Sequence, residues 1–143
     1  MEVLSRGKTS KGEWVYGDLV HPKSNYVFGN HHRPMDDKFG FILTMNWVHG
    51  SRFCSNGVCW VLSETVGQYT NNNDINDVKI FENDIVKGTI SSAWAKEEIV
   101  CVVKFIKDGF YCISKNGDKY KLMFAKNIEV IGNIIDNPEL MEE

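Results

Sequence analysis

The chain has 143 residues, with 16 basic and 19 acidic side chains and a formal net charge of −3 at pH 7. This length is enough for one compact hydrophobic core or two small ones, and no apolar run approaches the ~20 residues that a membrane-spanning helix needs. The net negative charge argues against strong, sequence-independent binding to nucleic acid, which depends on many Lys and Arg contacts to phosphate.

The first half of the chain predicts short strands. The runs of β-branched and aromatic residues that indicate them are 13–20, 25–28, 39–45 and 58–62. Gly, Asn, His and Pro punctuate the segments between these runs. Residues 1–6 lack the basic start and apolar stretch of a secretory signal, so we expect a cytoplasmic protein.

The second half predicts five strands joined mainly by tight turns. These strands are 84–90, 99–106, 110–114, 118–123 and 128–131. Asp108-Gly109 and Asn116-Gly117 are the turn signals, and the second is typical of a type I′ hairpin. A long loop is predicted over 91–98, and one helical turn over 124–127.

The tail begins with helix-start residues, namely Asn137 as a cap, Pro138 at the first position and Glu139 in the first turn. We therefore predict a mainly β protein. Its irregular N-terminal β region (1–75) packs on a C-terminal SH3-like small barrel (76–143) that ends in a short helix and an acidic tail.

The sequence offers no readable catalytic or metal-binding arrangement. The cysteines Cys54, Cys59, Cys101 and Cys112 form no CxxC pair, and we expect all four to be reduced thiols. His31 and His32 are adjacent and would point to opposite faces of a strand, which disfavours one shared ion. His49 with Cys54 or Cys59 lacks an orienting third group. We predict no metal, no cofactor and no enzymatic activity.

Lysines and aromatic residues interleave between residues 104 and 126. The lysines are Lys104, Lys107, Lys115, Lys119, Lys121 and Lys126. A cationic groove with stacking aromatics is typical of small barrels that hold single-stranded nucleic acid. Alternatively, the aromatic side chains fill the interior of the barrel and the lysines form its solvent-exposed face. The second interpretation is favoured because Tyr120 alternates with Lys119 and Lys121 and so faces the other way.

Four aromatic residues in the first half allow two interpretations. Trp14, Tyr16 and Trp60 are predicted to belong to the core. Trp47 lies in a polar, loop-like stretch and is our candidate protein-binding residue, because aromatics are enriched in binding hot spots.

Three blocks of the sequence resemble the YopX family, small proteins of phages and prophages. They are Arg6-Gly7-Lys8 with 12–19, then 64–70 through 79–86, and finally 129–140. The resemblance implies a predominantly β fold without an assigned activity. The family usually has Gly where this chain has Asn71, Asp77 and Asn83, and Asn and Asp are the other residues that best tolerate positive φ.

These observations predict a non-catalytic phage accessory protein that binds a macromolecule in the host cytoplasm. A protein partner or self-association is favoured by the net negative charge. The alternative is a weak single-stranded nucleic-acid-binding module that uses the 104–126 hairpin, and an enzyme is the third possibility. No membrane association is expected.

Overall fold

The structure is a computed structural model, and it describes residues 2–20, 39–43, 54–55, 58–92 and 94–142. The chain divides into an N-terminal unit, Glu2–Gln68, and a C-terminal unit, Tyr69–Glu143. Antiparallel strands dominate both units, which confirms the prediction of a mainly β protein. Across the described ranges, every helix is too short to span a membrane. The predicted division into residues 1–75 and 76–143 stays a prediction.

The N-terminal unit is an antiparallel sheet. Its strands are β1 (Ser5–Lys8), β2 (Trp14–Val20), β3 (Phe39–Leu43), β4 (Cys54–Ser55) and β5 (Val58–Leu62), in the spatial order β4-β5-β3-β2-β1. The start of β6 (Gly67–Asn73) pairs with β1 at Arg6 and Ser5. The predicted strands at 13–20, 39–45 and 58–62 are thereby confirmed where they fall on described residues. The strand predicted at 25–28 lies outside them, and β1, β4 and β6 were not predicted.

A small core holds the N-terminal unit together. Val15, Cys59 and Val61 are buried. Gly7 lies directly over Val61, where an added Cβ would come within 2.8 Å of a methyl carbon.

Cys59 is disulfide-bonded, so the prediction of four reduced thiols is wrong for this residue, whereas Cys101 and Cys112 are free. Tyr16 is exposed, which contradicts its predicted place in the core.

The C-terminal unit contains the remaining strands. They are the rest of β6, then β7 (Lys79–Phe81), β8 (Asp84–Ser91), β9 (Lys96–Ile106), β10 (Gly109–Ser114), β11 (Lys119–Lys121) and β12 (Lys126–Asn133). Strand β7 pairs with β6, and the last five strands form a sheet in the order β11-β10-β9-β8-β12. All five strands predicted in this half are present. The predicted closure into a barrel is wrong, because β11 and β12 remain the two edges of the sheet.

Alternation along β9 explains the core of this unit. Ile99, Cys101 and Val103 are buried on one face, and opposite them lie Val86 of β8 and Cys112 of β10. The predicted loop at 91–98 is wrong, since β8 and β9 continue pairing as far as Ser91 and Lys96. The sequence of these strand ends does not show the alternation of a half-buried strand, because both strands extend beyond the core into solvent.

Two short 3-10 segments complete the unit. One covers Leu122–Phe124 and the other Pro138–Met141. The second confirms the predicted short C-terminal helix, but Asn137 does not cap it. Instead, the Asn137 side-chain oxygen accepts a hydrogen bond from the Asn133 N–H at 3.3 Å.

A substitution at Gly117 tests the backbone geometry of the β10–β11 turn. Gly117 has φ 85°, and an added side chain would meet no other atom within 4 Å, so backbone strain alone decides the effect of substitution. Gly117→Val should lower the free energy of unfolding by about 1 kcal/mol or more, measured by chemical denaturation. Gly109→Val is the matched control, because Gly109 is equally uncrowded and has no positive φ. Equal losses in the two variants would contradict the turn geometry.

Candidate interaction surface of the C-terminal unit

Residues with left-handed backbone conformation occur within β6, in the loop between β6 and β7, and in the turn between β7 and β8. Asn71, Asp77 and Asn83 have φ values of 64°, 62° and 76°. The prediction that these three positions take positive φ is therefore confirmed. Asn127, at the start of β12, also has a positive φ of 53°, which no sequence signal had indicated.

Asp74 fastens this loop to the edge of the five-stranded sheet. One carboxylate oxygen accepts hydrogen bonds from the Asn76 and Val78 N–H groups, at 2.8 and 2.9 Å. The other accepts from the Val130 N–H of β12 at 2.9 Å. Next to it, the Ile75 N–H donates to the Ile128 carbonyl at 2.9 Å. The loop thus covers hydrogen-bonding groups of an edge strand that would otherwise face solvent.

Two opposing effects determine the pKa of Asp74. Burial removes water from the carboxylate and raises its pKa, whereas the N–H donors of Val130, Val78 and Asn76 favour the ionised form. The hydrogen bonds prevail, and the pKa of Asp74 lies below its ordinary value. Asp74 is therefore a structural carboxylate whose two oxygens are already engaged.

A pocket of about 270 Å³ lies beside this loop. It is lined by Asn72, Asn73, Asp74, Ile75, Leu122, Met123, Ala125, Asn127 and Ile128. Its polar groups include the side-chain amides of Asn72, Asn73 and Asn127, and its apolar walls come from Ile75, Met123 and Ile128. One wall is braced, because Asn73 accepts a hydrogen bond from the Tyr69 hydroxyl and donates one to Asp77 at 2.7 Å.

The 3-10 turn Leu122–Phe124 contributes Leu122 and Met123 to the pocket lining, and Phe124 follows them in the sequence. Leu122 is buried in the core and anchors the turn, whereas Met123 and Phe124 are 75% and 64% exposed. Ile75, on the facing loop, is 61% exposed. We call Ile75, Met123 and Phe124 the apolar rim. The sequence did not predict the apolar rim. The strand predicted at 118–123 places Leu122 and Met123 on opposite faces, but it does not show which of the two is exposed to solvent.

Another exposed aromatic residue lies in the turn of the β8–β9 hairpin. Trp94 is 94% exposed. The sequence pattern did not single out Trp94, because the residues around it were predicted to form a long loop. Trp47, the residue predicted to bind a protein partner, lies outside the described residues.

Three of the six predicted lysines share one face of the sheet. Lys104 and Lys121 both lie directly opposite Tyr111, and Lys119 lies opposite Ile113. Directly opposed residues in antiparallel strands point to the same side. Tyr120 lies opposite Cys112 on the core face, as the alternation predicted. The sequence could not place Tyr111 among the lysines, because their alignment depends on the register between β9, β10 and β11.

The other lysines do not join this face. Lys107 and Lys115 lie in the turns at either end of β10, and Lys126 begins β12. Lys115 Nζ lies 3.5 Å from the Glu142 carbonyl oxygen, and Lys104 Nζ donates to the Asn83 side-chain oxygen.

The Tyr111 hydroxyl donates to the Asp108 carboxylate at 2.9 Å, and this hydrogen bond raises the pKa of Tyr111.

Metal-ligating side chains do not converge within the described part of the chain, where no three His, Cys, Asp or Glu residues form a group. The four histidines, including His31, His32 and His49, lie outside the described residues. Cys101 and Cys112 are buried and their thiols lie within hydrogen-bonding reach of each other, which places them in the core.

Comparisons with known proteins agree on the family and the fold. The model of the YopX protein family matches residues 8–142. No curated protein sequence matches the chain. Among solved structures, protein EF1440 from Enterococcus faecalis is similar with a TM-score of 0.52 and 20% sequence identity, over 99% of both chains. At this identity the likeness concerns the fold alone.

The contribution of the Asp74 hydrogen bonds to stability can be tested with a nearly isosteric substitution. Asp74→Asn offers one acceptor oxygen where the carboxylate offers two, and its amide group would face a backbone donor. The free energy of unfolding at neutral pH should fall by about 2–3 kcal/mol. Asp77→Asn is the control, because the exposed Asp77 side chain accepts a hydrogen bond from Asn73, which an Asn oxygen can also accept, and Asn tolerates positive φ. A change within about 0.5 kcal/mol is expected.

The same variant should alter the response to acid. Because folding lowers the pKa of Asp74, its stabilising effect is present above the ordinary value of 3.8 and is lost as the pH falls through the lower folded-state value. The stability difference between wild type and Asp74→Asn should therefore shrink below about pH 4. A difference that stays constant on acidification would contradict an ionised Asp74.

Proposed function

Because this chain belongs to the YopX family, we propose that it is a non-catalytic accessory protein of a phage or prophage that acts in the host cytoplasm by binding another protein. The contact surface is the apolar rim and the pocket beside it. The observation that supports this proposal is the exposure of Met123 and Phe124 on a turn whose neighbouring Leu122 is anchored in the core.

The rim has the properties of a binding anchor. Large apolar side chains gain about 1.5–3 kcal/mol each when a partner removes them from water. The backbone that carries them is held by the buried Leu122 and by the hydrogen bonds of Asp74, so little conformational freedom is lost on binding. The amides in the pocket supply donors and acceptors that favour one orientation of a partner.

The chemistry of the pocket supports binding over catalysis. Its carboxylate, Asp74, already accepts three backbone hydrogen bonds, and its other polar side chains are amides, which do not titrate. A general acid or base needs a titratable group within reach of a substrate. The proposed role therefore depends on shape and apolar contact.

Single-stranded nucleic acid is the second candidate ligand, and the row Lys104–Tyr111–Lys121 is the observation that favours it. A base could stack on Tyr111 between two cations. Three features weaken this alternative. Lys104 is engaged by Asn83, the Asp108 carboxylate adjoins Tyr111, and the tail that carries Glu139 and Glu142 approaches β9 and Lys115.

A pull-down from infected host lysate separates the two candidates. The wild-type protein should retain host or phage proteins that survive nuclease treatment. Met123→Ser/Phe124→Ser should lose them, because the apolar contact is removed from two exposed positions. Lys119→Glu/Lys121→Glu should keep them, because it alters only the lysine face. Retention that disappears with nuclease, or with the lysine variant alone, would favour the nucleic-acid function.

A further inference from the structure

The face of the five-stranded sheet that points away from the core carries two neighbouring rows of side chains. Val86 packs into the core, so the adjacent Ile85 points to the opposite face. Directly opposed residues of neighbouring strands share a face, and on this basis Ile85, Val102 and Ile113 form an apolar row. Two positions further along β9 and β10 lies a cationic row, which consists of Lys104, Tyr111 and Lys121.

A short segment of the chain covers the apolar row. Gly132 lies directly opposite Ile85, and an added Cβ at Gly132 would come within 2.9 Å of a Leu140 methyl carbon. Ile85 is 0% exposed although it points away from the core, because the segment around Leu140 closes over it. The 3-10 segment Pro138–Met141 also packs against β9. We call residues 138–142 the strap.

The strap is firmly fixed at its root and weakly held beyond it. At the root, the Asn137 N–H donates to the Asn133 carbonyl at 2.8 Å, and the Asn133 N–H donates to the Asn137 side-chain oxygen at 3.3 Å. Across the described residues, the strap makes one hydrogen bond to the sheet and its turns, from Lys115 Nζ to the Glu142 carbonyl at 3.5 Å. Apolar packing of Leu140 therefore holds the strap on the sheet, and the strap can detach while its root stays fixed.

The strap also changes the balance of charge on this face. It carries the exposed residues Glu139 and Glu142, and its backbone reaches Lys115. The lysines on the face and in the turns that bound it are Lys104, Lys107, Lys115, Lys119 and Lys121. The carboxylates of the sheet and its turns at the same place are Glu82, Asp108 and Asp118. The lysines therefore outnumber the carboxylates only when the strap is detached.

The cationic row remains able to receive an anion and a base. The partner of Lys104 is the side-chain amide of Asn83, which carries no charge and leaves the ammonium charge uncompensated. The hydrogen bond from Tyr111 to Asp108 uses the edge of the ring, whereas a nucleobase stacks on the face of an aromatic ring. Detachment of the strap thus adds an apolar surface to a row that already has the chemistry for stacking and for phosphate contacts.

We propose that the strap is an autoinhibitory segment that covers a site for single-stranded nucleic acid. In the open state, bases contact Tyr111 and the apolar row, and phosphates contact the lysines. The strap imitates this ligand, because Leu140 lies on the apolar row while Glu139 and Glu142 supply negative charge. As part of the same chain, it competes at a high effective concentration and keeps wild-type binding weak. This site is separate from the apolar rim, so the inference goes beyond the proposed contact with a protein.

Fluorescence anisotropy of a labelled single-stranded oligothymidylate, titrated with the full-length protein at low salt, tests this inference. Two substitutions should detach the strap from opposite sides of the contact. Leu140→Ser weakens its apolar packing, and Gly132→Val fills the space that Leu140 occupies. Each should tighten binding of the oligonucleotide by at least about tenfold relative to wild type. Val3→Ser, an exposed apolar change in the N-terminal unit, is the control and should bind as weakly as wild type.

Reversal of charge on the sheet identifies the surface that binds. Adding Lys119→Glu/Lys121→Glu to Leu140→Ser should abolish the gain in affinity. The gain should also shrink as the salt concentration rises, because each phosphate contact releases counterions. Affinity that is unchanged in both Leu140→Ser and Gly132→Val, or a gain that survives the lysine reversal, would overturn the inference. The lysate experiment depends on Met123 and Phe124, which none of these variants alters, so the test of the proposed function stands separately.

Discussion

The Asp74 carboxylate is the interaction on which the C-terminal unit depends. It joins a loop to a strand 56 residues away by accepting N–H groups from both. A sheet that does not close leaves edge strands with unpaired backbone groups, and β12 is one of these edges. Asp74 and the neighbouring Ile75 N–H satisfy part of that edge without adding a strand. Only an acceptor with two free oxygens can serve three donors in this way.

The proposed binding surface follows from this constraint. Holding the loop against β12 places Asn72 and Ile75 opposite Met123 and Asn127, and the space between them is the pocket. The positive φ values of Asp77 and Asn127 allow the backbone to turn on either side of it. Leu122 is buried in the core, whereas Met123 and Phe124, which follow it on the same turn, are exposed. Stability and binding are therefore linked through the same short segments.

Local sequence signals were sufficient where strands cross a core. Alternation predicted all five strands of the last sheet, and the Asn or Asp at positions 71, 77 and 83 takes the predicted positive φ. The type I′ turn predicted at Asn116-Gly117 is wrong, because Gly117 has a positive φ and Asn116 does not. The signals failed where the structure depends on distant partners. Strand β1 is too short and polar to show a period, and residues 91–98 extend the hairpin beyond any apolar contact. Closure of the sheet could not be judged either, since the loop at Asp74 takes the place of a pairing strand.

The candidate site was less predictable than the fold for the same reason. The six lysines are close in sequence, yet the register brings only Lys104, Lys119 and Lys121 to one face and adds Tyr111 to them. The apolar rim combines the loop before β7 with the turn after β11, so no local pattern contains it. Trp94 was present in the sequence, but its exposure depends on the hairpin that carries it past the core.

Amide hydrogen exchange measured by NMR tests the role of Asp74 most directly. In the wild type, the Val130 and Val78 amides should exchange slowly, at rates comparable to those of neighbouring sheet amides. In Asp74→Asn, exchange at Val130 and Val78 should accelerate markedly, while the amides of Cys101 and Val103 in the centre of the sheet stay protected. Val130 and Val78 amides that exchange equally fast in both proteins would contradict the account, because the carboxylate would then hold neither the loop nor the edge strand.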